Sequence, residues 1–316
     1  MTDYVIRRVL LAIPTILLVI FMSFMVMRLV PGDLVDQMLA ERPYATQADR
    51  DALRKDLGLD RPLVAQFGSY LADVLRGDLG KSPWTNRDVT EELRSRLPVT
   101  AEFGAMAVLL GLIMALPIGV ISAIRQDTLR DYGARSFAIL ALSVPYFFTG
   151  TLLIVFPEKW FGWSPPLIYK GWSAGVVPHL YYYFFPALLL GFSLAGGVMR
   201  MTRTMMLEVL RQDYVRTAWA KGLRERNVIL RHTLKNAFIP VITIIGLQVS
   251  AAIGGTIILE SIFNMPGVGR FLVTAILQRD YPSVQGVVLV LAIVVVFVNL
   301  AVDVTYGMLD PRVSHG

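Results

Sequence analysis

Cysteine is absent from the 316 residues, and histidine occurs three times, at His179, His232 and His315. Without cysteine there is no disulfide framework and no thiolate metal site. None of the histidines lies inside an apolar run. Charge is also scarce: Asp, Glu, Lys and Arg make up 17% of the chain, against about 25% in ordinary soluble domains. No GxxxxGK(S/T) phosphate loop, HExxH pair or GxSxG elbow occurs. Within the apolar runs the ionisable groups are few and near the ends, at Arg28, Glu260 and Asp303. Ion-coupled carriers and proton pumps keep carboxylates or histidines near the bilayer midplane. An intramembrane hydrolase needs paired acids or a metal. The sequence offers neither, so no catalytic residue and no metal ligand is expected. If the chain moves something, the energy comes from another protein.

What the chain has is apolar length. Hydrophobic residues make up 55% of it and mean hydropathy is +0.57, more apolar surface than a soluble fold can hide. A helix needs roughly 20 apolar residues to cross the hydrocarbon core. Six runs qualify, at about 9–30, 99–124, 134–157, 180–199, 239–261 and 283–308. The first follows Arg7 and Arg8 but exceeds the 7–15 residues of a signal-peptide core and lacks a small-x-small cleavage site. It reads as a retained span within residues 1–30. Pro14, Pro117, Pro145, Pro186, Gly254 and Gly286 lie inside the runs. Neighbouring helices in a membrane re-satisfy the backbone freed by such residues, and glycine allows close packing. The expected fold is therefore an all-α membrane protein of six spans.

Short loops set the orientation. Loop 125–133 carries Arg125 and Arg130. Loop 200–238 carries Arg200, Arg203 and Arg211, followed by Arg216, Lys221, Arg224, Arg226, Arg231 and Lys235. The opposite loops, 158–179 and 262–282, hold only Lys159, Lys170, Arg270 and Arg279. The net charge of +6 thus reads as topology and not as nucleic-acid binding. It puts both termini, the tail 309–316 included, in the cytoplasm. Segment 31–98 becomes an extracytoplasmic insertion of short amphipathic helices, with Leu63, Phe67, Tyr70, Leu71 and Leu75 at helical spacing. It is either a cap over the outer mouth or a docking surface.

The basic loop is the most informative stretch of the core bundle 99–308. The fourth span runs on into MRMTRTMMLEVLRQDY without a break. Asp213 can cap a new short helix with Tyr214 to Lys221 as its body and Gly222 as its stop. Val215, Ala218 and Trp219 share one face of it, while Arg216 and Ala220 lie elsewhere around it and Thr217 belongs to the same helix. Two turns are marginal alone in water. Such a helix suits a groove on another protein; the rival reading is a basic segment lying on anionic headgroups. Phe192, Gln248 and Asn299 could face a translocation path, or could pack between helices.

TAWAKGLRERNVILRHTLKNAFIPVIT resembles the cytoplasmic EAA loop of bacterial ABC-importer permeases, in particular the first permease subunit of the dipeptide/oligopeptide branch. The likeness extends along the chain. RRVLLAIPTILLVIFMSFMVMRLVPGD with Pro31, Gly32 and Asp33, RLPVTAEFG from Arg96 to Gly104, ESIFNMPGVGR with Phe263, Pro266, Gly267, Gly269 and Arg270, and RDYP from Arg279 to Pro282 are similar to that branch. The wider family has Glu-Ala-Ala three residues before a glycine. Here Arg216, Thr217 and Ala218 precede Gly222, and the later Leu-Pro pair falls on Leu234 and Lys235, with Pro240 beyond. The resemblance implies that Asp213–Leu223 is a coupling helix docked in a cleft of a cytoplasmic ATPase, its small residues letting it sit deep and its cations meeting an acidic rim. It implies a second homologous permease, two ATPases that bind ATP and Mg, an extracytoplasmic binding protein, and no cofactor on this chain itself. It implies residence in the bacterial inner membrane and a peptide cargo. Glutathione, nickel, oligosaccharides and opines are the alternatives within the same machinery. An ATP-independent channel or scaffold is the alternative of another class.

Overall fold

The computed structural model describes residues 2–29, 34–40 and 46–309. Pro31, Gly32, Asp33 and the tail 310–316 lie outside the described residues. In chain order the helices are α1 (Thr2–Leu29), α2 (Leu34–Ala40), α3 (Gln47–Asp56), α4 (Leu63–Leu75), α5 (Val89–Ile124), α6 (Leu129–Ser143), α7 (Tyr146–Phe161), α8 (Val176–Leu210), α9 (Asp213–Ala220) and α10 (Glu225–Asn227). A π-helical turn at Val228–Leu234 leads into α11 (Lys235–Ile262), then α12 (Val268–Leu277) and α13 (Tyr281–Leu309). Among the described residues the only β pairing is one isolated bridge, Lys81 to Asp88.

Among the described residues five helical stretches are long and apolar enough to cross a membrane: Ile6–Leu29, Val89–Ile124, Val176–Leu210, Glu225–Ile262 and Tyr281–Thr305. The third run, expected as one span over 134–157, is instead broken. α6 and α7 meet at 90°. The break has a local cause. A proline ring disfavours helical geometry in the residue before it and removes a backbone donor. Val144 is accordingly extended, at φ −93° and ψ 118°, and Pro145 opens α7. The helices also outrun their apolar windows: α5 begins at Val89, ten residues before the run, and α8 ends at Leu210. Hydropathy marks the thickness of oil, not the length of a helix.

The chain forms two compact units. Of the described residues, one comprises 2–5, 100–265 and 297–309, the other 6–29, 34–40, 46–99 and 266–296. In the first, α8 packs on α6 and α11. Its ridge Ala187, Gly191 and Ala195 recurs every four residues, and so does the ridge Ala107, Gly111, Ala115 and Gly119 on α5; all seven are buried. The two ridges meet: a Cβ on Gly191 would sit 2.6 Å from the Ala107 carbonyl oxygen, and one on Gly119 would sit 2.9 Å from that of Met199. Glycine is required here because two backbones occupy that space, the small-residue packing of membrane helices. Toward the far end of α11, buried Glu260 accepts from the Thr100 hydroxyl at 2.7 Å.

In the second unit α4 packs on α1. Phe24 is buried, meets Phe67 edge-on at 5.2 Å and stacks on Tyr70 at 6.0 Å. Arg28 lies 3.5 Å over the Phe24 ring and donates from Nε and Nη2 to Gln66 at 3.0 and 2.9 Å. Phe67 and Tyr70 thus use the helical spacing read from the sequence. Leu63 and Leu75 are exposed. α3 starts on a capping box, Thr46 and Asp49 each holding the other's backbone N–H.

Candidate functional site

The short helix after α8 is built by its two ends. Gln212 is extended, at φ −73° and ψ 147°, and starts α9 without a side-chain cap. Asp213, expected as the cap, is instead the first residue of the helical turn. There its carboxylate is still favourably placed against the helix dipole, and it accepts from Arg216 at 3.4 Å. The other end follows expectation. Gly222 has φ +73°, its N–H donates to the Trp219 carbonyl at 2.9 Å, and Leu223 N–H donates to that of Ala218 at 3.4 Å. This is the Schellman pattern, which needs a left-handed residue at the stop. Gly222 supplies it without a Cβ penalty.

The apolar face of α9 faces inward. Val215 is 0% and Ala218 6% exposed, packed with Val228 against Val209 and Leu210. Val215 and Ala218, expected on the docking side, pack within the chain itself, seating α9 against the end of α8 and the π turn. The spacing shows that a face exists, not what covers it. Trp219, grouped with them, points outward at 44% exposure, alongside Tyr214 and Leu223. Arg216, Thr217, Ala220 and Lys221 are exposed as well. The Tyr214 hydroxyl accepts from Asn236 at 2.9 Å, tying α9 to α11. The π turn gives Thr233 a carbonyl five residues back, at Val228, 3.1 Å away. Such turns recur at functional sites, and no periodicity in the sequence announced this one.

Arg216, Lys221, Arg224, Arg226, Arg231 and Lys235 are all exposed. Among the described residues, Arg216 alone of these six has a carboxylate within reach, that of Asp213. The loop therefore presents a cationic surface.

A second arrangement lies at the same end of α8. Asp131 is fully buried. It accepts from Arg203 Nε and Nη2 at 2.7 and 2.8 Å, from the Ser122 hydroxyl at 2.5 Å and from Asp127 N–H at 3.0 Å. This bidentate clamp joins α5, α6 and α8. Arg203, counted in the sequence as one cation among many, is committed to it.

The three proposed path residues have separate neighbours. Phe192 meets Phe137 edge-on at 4.9 Å. Gln248 rests on Gly197 and lines a void of only about 10 Å³. Asn299 is exposed and accepts from Ser250 at 2.8 Å. The contacts do not bring them together into one site.

Residues 1–104 match the family described as "Binding-prot-dependent transport system membrane comp, N-term" and residues 115–315 match "Binding-protein-dependent transport system inner membrane component". A di/tripeptide transport system permease protein of Pseudomonas aeruginosa is 38% identical, covering 100% of this chain and 99% of that relative. A glutathione transport system permease protein of Pectobacterium atrosepticum is also 38% identical, covering 100% of both. The dipeptide transport system permease protein of Escherichia coli is 36% identical over 100% of this chain and 99% of that relative. Among solved structures, the inward-facing MetNI methionine ABC transporter superposes with TM-score 0.56 at 15% identity, over 70% of this chain and 97% of that one. At that identity the likeness concerns the fold.

Proposed function

The chain belongs to the family of binding-protein-dependent transport system inner membrane components, and from that premise we propose that it is one of two homologous permeases of a peptide-type ABC importer. Two cytoplasmic ATPases, carrying ATP and Mg, drive it, and an extracytoplasmic binding protein delivers the cargo. The observation that carries this reading is α9: a short helix seated on the end of the long α8, stopped by Gly222, with an exposed cationic and aromatic outer face. Its position suits a lever. A load on α9 passes through Val215 and Ala218 into α8 and, through Tyr214 and Asn236, into α11. α8 and α11 are packed along their length, so movement of one end is felt across the bundle.

In this scheme the outer face of α9, with Tyr214, Arg216, Thr217, Trp219, Ala220, Lys221 and Leu223, docks in an ATPase cleft. ATP-driven closure of the two ATPases carries the docked helices inward and opens the outer mouth, and hydrolysis resets it. The ATPases can shift the bundle only as far as their contacts differ between the two states. Arg216 stands where the wider family has glutamate, so the charged contact differs from that of permeases with the Glu-Ala-Ala triplet. The cytoplasm holds both termini and the loop 200–238, and the insertion 31–98 lies on the opposite side, as a cap over the outer mouth or a docking surface for an external partner.

Peptides are the proposed cargo because relatives named for di- and tripeptides align end to end; glutathione, itself a tripeptide, is the second reading on the same footing. The complex, reconstituted with its binding protein, is expected to raise ATP turnover several-fold with di- and tripeptides and not with nickel or oligosaccharides. Stimulation by nickel or an oligosaccharide alone would refute the peptide reading and leave the permease reading standing.

A further inference from the structure

Between α6 and α8 lies a groove of about 360 Å³ whose two ends differ in chemistry. Its rim is cationic, made by Arg135, Arg200 and Arg203; its floor is apolar, made by Ile139, Leu142 and Met199. The order along the groove follows from the antiparallel packing of the two helices. Asp131 meets Arg203 at one end. At the other, Leu142 closes on Gly196, where an added Cβ would come within 2.8 Å of Leu142 Cγ. Arg135 lies one turn from Asp131. Ile139 and Leu142 lie one and two turns further, toward the interior of the bent span.

The charges are not balanced from within. Arg203 is fixed by its bidentate bonds to Asp131, which leave Nη1 unused. Among the described residues no carboxylate lies within ion-pair distance of Arg200 or Arg135, and Arg135 lies 5.6 Å over the Tyr132 ring. Three guanidinium groups thus face the Asp131 carboxylate, with Asp127 acting on Arg203 from further off, and the cations remain in excess. Guanidinium forks match the oxygens of a phosphodiester, and basic pockets between membrane helices are where anionic headgroups bind. The floor selects the source of the phosphate. Ile139 is 64% and Leu142 44% exposed, a greasy strip running away from the cations that a free phosphate would leave bare.

We propose that this groove binds one anionic phospholipid, its phosphodiester held by Arg135, Arg200 and Arg203 and an acyl chain laid along Ile139 and Leu142. The site needs only that the chain spans a bilayer. It does not depend on the cargo or on docking by α9. Because Arg203 also holds Asp131, the lipid touches the clamp beside which α8 runs on to α9, so the occupant sits against the proposed lever.

The test uses the assembled transporter in nanodiscs of equal phosphatidylcholine and phosphatidylglycerol, with bound lipids counted by native mass spectrometry. Phosphatidylglycerol is expected to be retained preferentially. The double exchange Arg135→Gln, Arg200→Gln, which spares the clamp, is expected to lower that preference roughly tenfold or more, whereas Arg135→Lys, Arg200→Lys keeps most of it. Glycerol phosphate, which has the headgroup chemistry without tails, is expected not to displace the lipid. Undiminished preference in the glutamine variant overturns the proposal, as does displacement by glycerol phosphate or inorganic phosphate at equal concentration. If the second permease covers the groove, the wild-type complex shows no preference that the exchanges can alter, which also overturns it. Should the variants fail to assemble, the wild type alone decides: retention that does not weaken with ionic strength contradicts a charge-held headgroup.

Discussion

Gly222→Pro is expected to abolish cargo-driven transport while the subunit still inserts and assembles. Gly222 has φ +73°; proline is locked near −65° and has no N–H to give. The exchange removes the bond from residue 222 to the Trp219 carbonyl and turns the chain away from the geometry that brings Leu223 N–H to Ala218. The end of α9 is then re-aimed, and with it Trp219, Lys221 and Leu223. The membrane-spanning helices are untouched, so insertion survives. The signature is basal ATP turnover that persists, stimulation by liganded binding protein that falls by at least an order of magnitude, and uptake that falls with it. Gly222→Ala, costing about 1–2 kcal/mol at a left-handed position, gives a milder form of the same loss. Ala218→Trp is expected to uncouple as well, but by unseating α9 from Val228, Val209 and Leu210 rather than by clashing with a partner. Normal stimulation and uptake in Gly222→Pro would remove α9 from the mechanism.

Asp131→Ala is expected to be the most destabilising single change where α5, α6 and α8 meet. It strips the carboxylate from Arg203, whose side chain is only 19% exposed, and leaves the Ser122 hydroxyl and Asp127 N–H without their acceptor. Breaking a buried pair by removing one partner costs about 3–5 kcal/mol, a fall in thermal midpoint on the order of ten degrees for a chain of this size. Removing both charges is a different matter: Asp131→Leu with Arg203→Met leaves no orphan charge and is expected to recover most of the loss. Thermal unfolding of the purified subunit with each variant decides it. If the double variant is as unstable as the single, the clamp's weight lies in its geometry across α5, α6 and α8 and not in the buried charge.

Much of this was legible in the sequence because it follows from rules that act over a few residues. Hydropathy reveals a membrane protein, Gly222 marks a helix stop, and the uninterrupted run after Arg200 carries α8 onward to Leu210. What was hidden depends on partners distant in the chain. Pro145 was visible, yet within an oily run a proline can kink a span, pack silently or break it, and the 90° turn is chosen by surroundings that the local pattern does not encode. Asp131 and Arg203 are 72 residues apart, so each looked like a loop charge. The helical spacing of Val215 and Ala218 marked a face but not what covers it, because a small apolar face fits the chain's own helices as well as a stranger's. The facing ridges of alanine and glycine on α5 and α8 repeat at four residues in plain view, but their meeting can be seen only in three dimensions.

The central claim is that the outer face of α9 rests on an ATPase subunit and its inner face does not. The chain has no cysteine, so a single one can be placed at will and loaded with a photoactivatable crosslinker. Ala220→Cys and Thr217→Cys, on the exposed side, are predicted to join the ATPase in the assembled transporter, with a yield that changes on adding ATP; Val215→Cys, on the buried side, is predicted not to. Crosslinking of Ala220→Cys to the binding protein, to lipid alone while the complex turns over, or equally from all three positions would contradict the account.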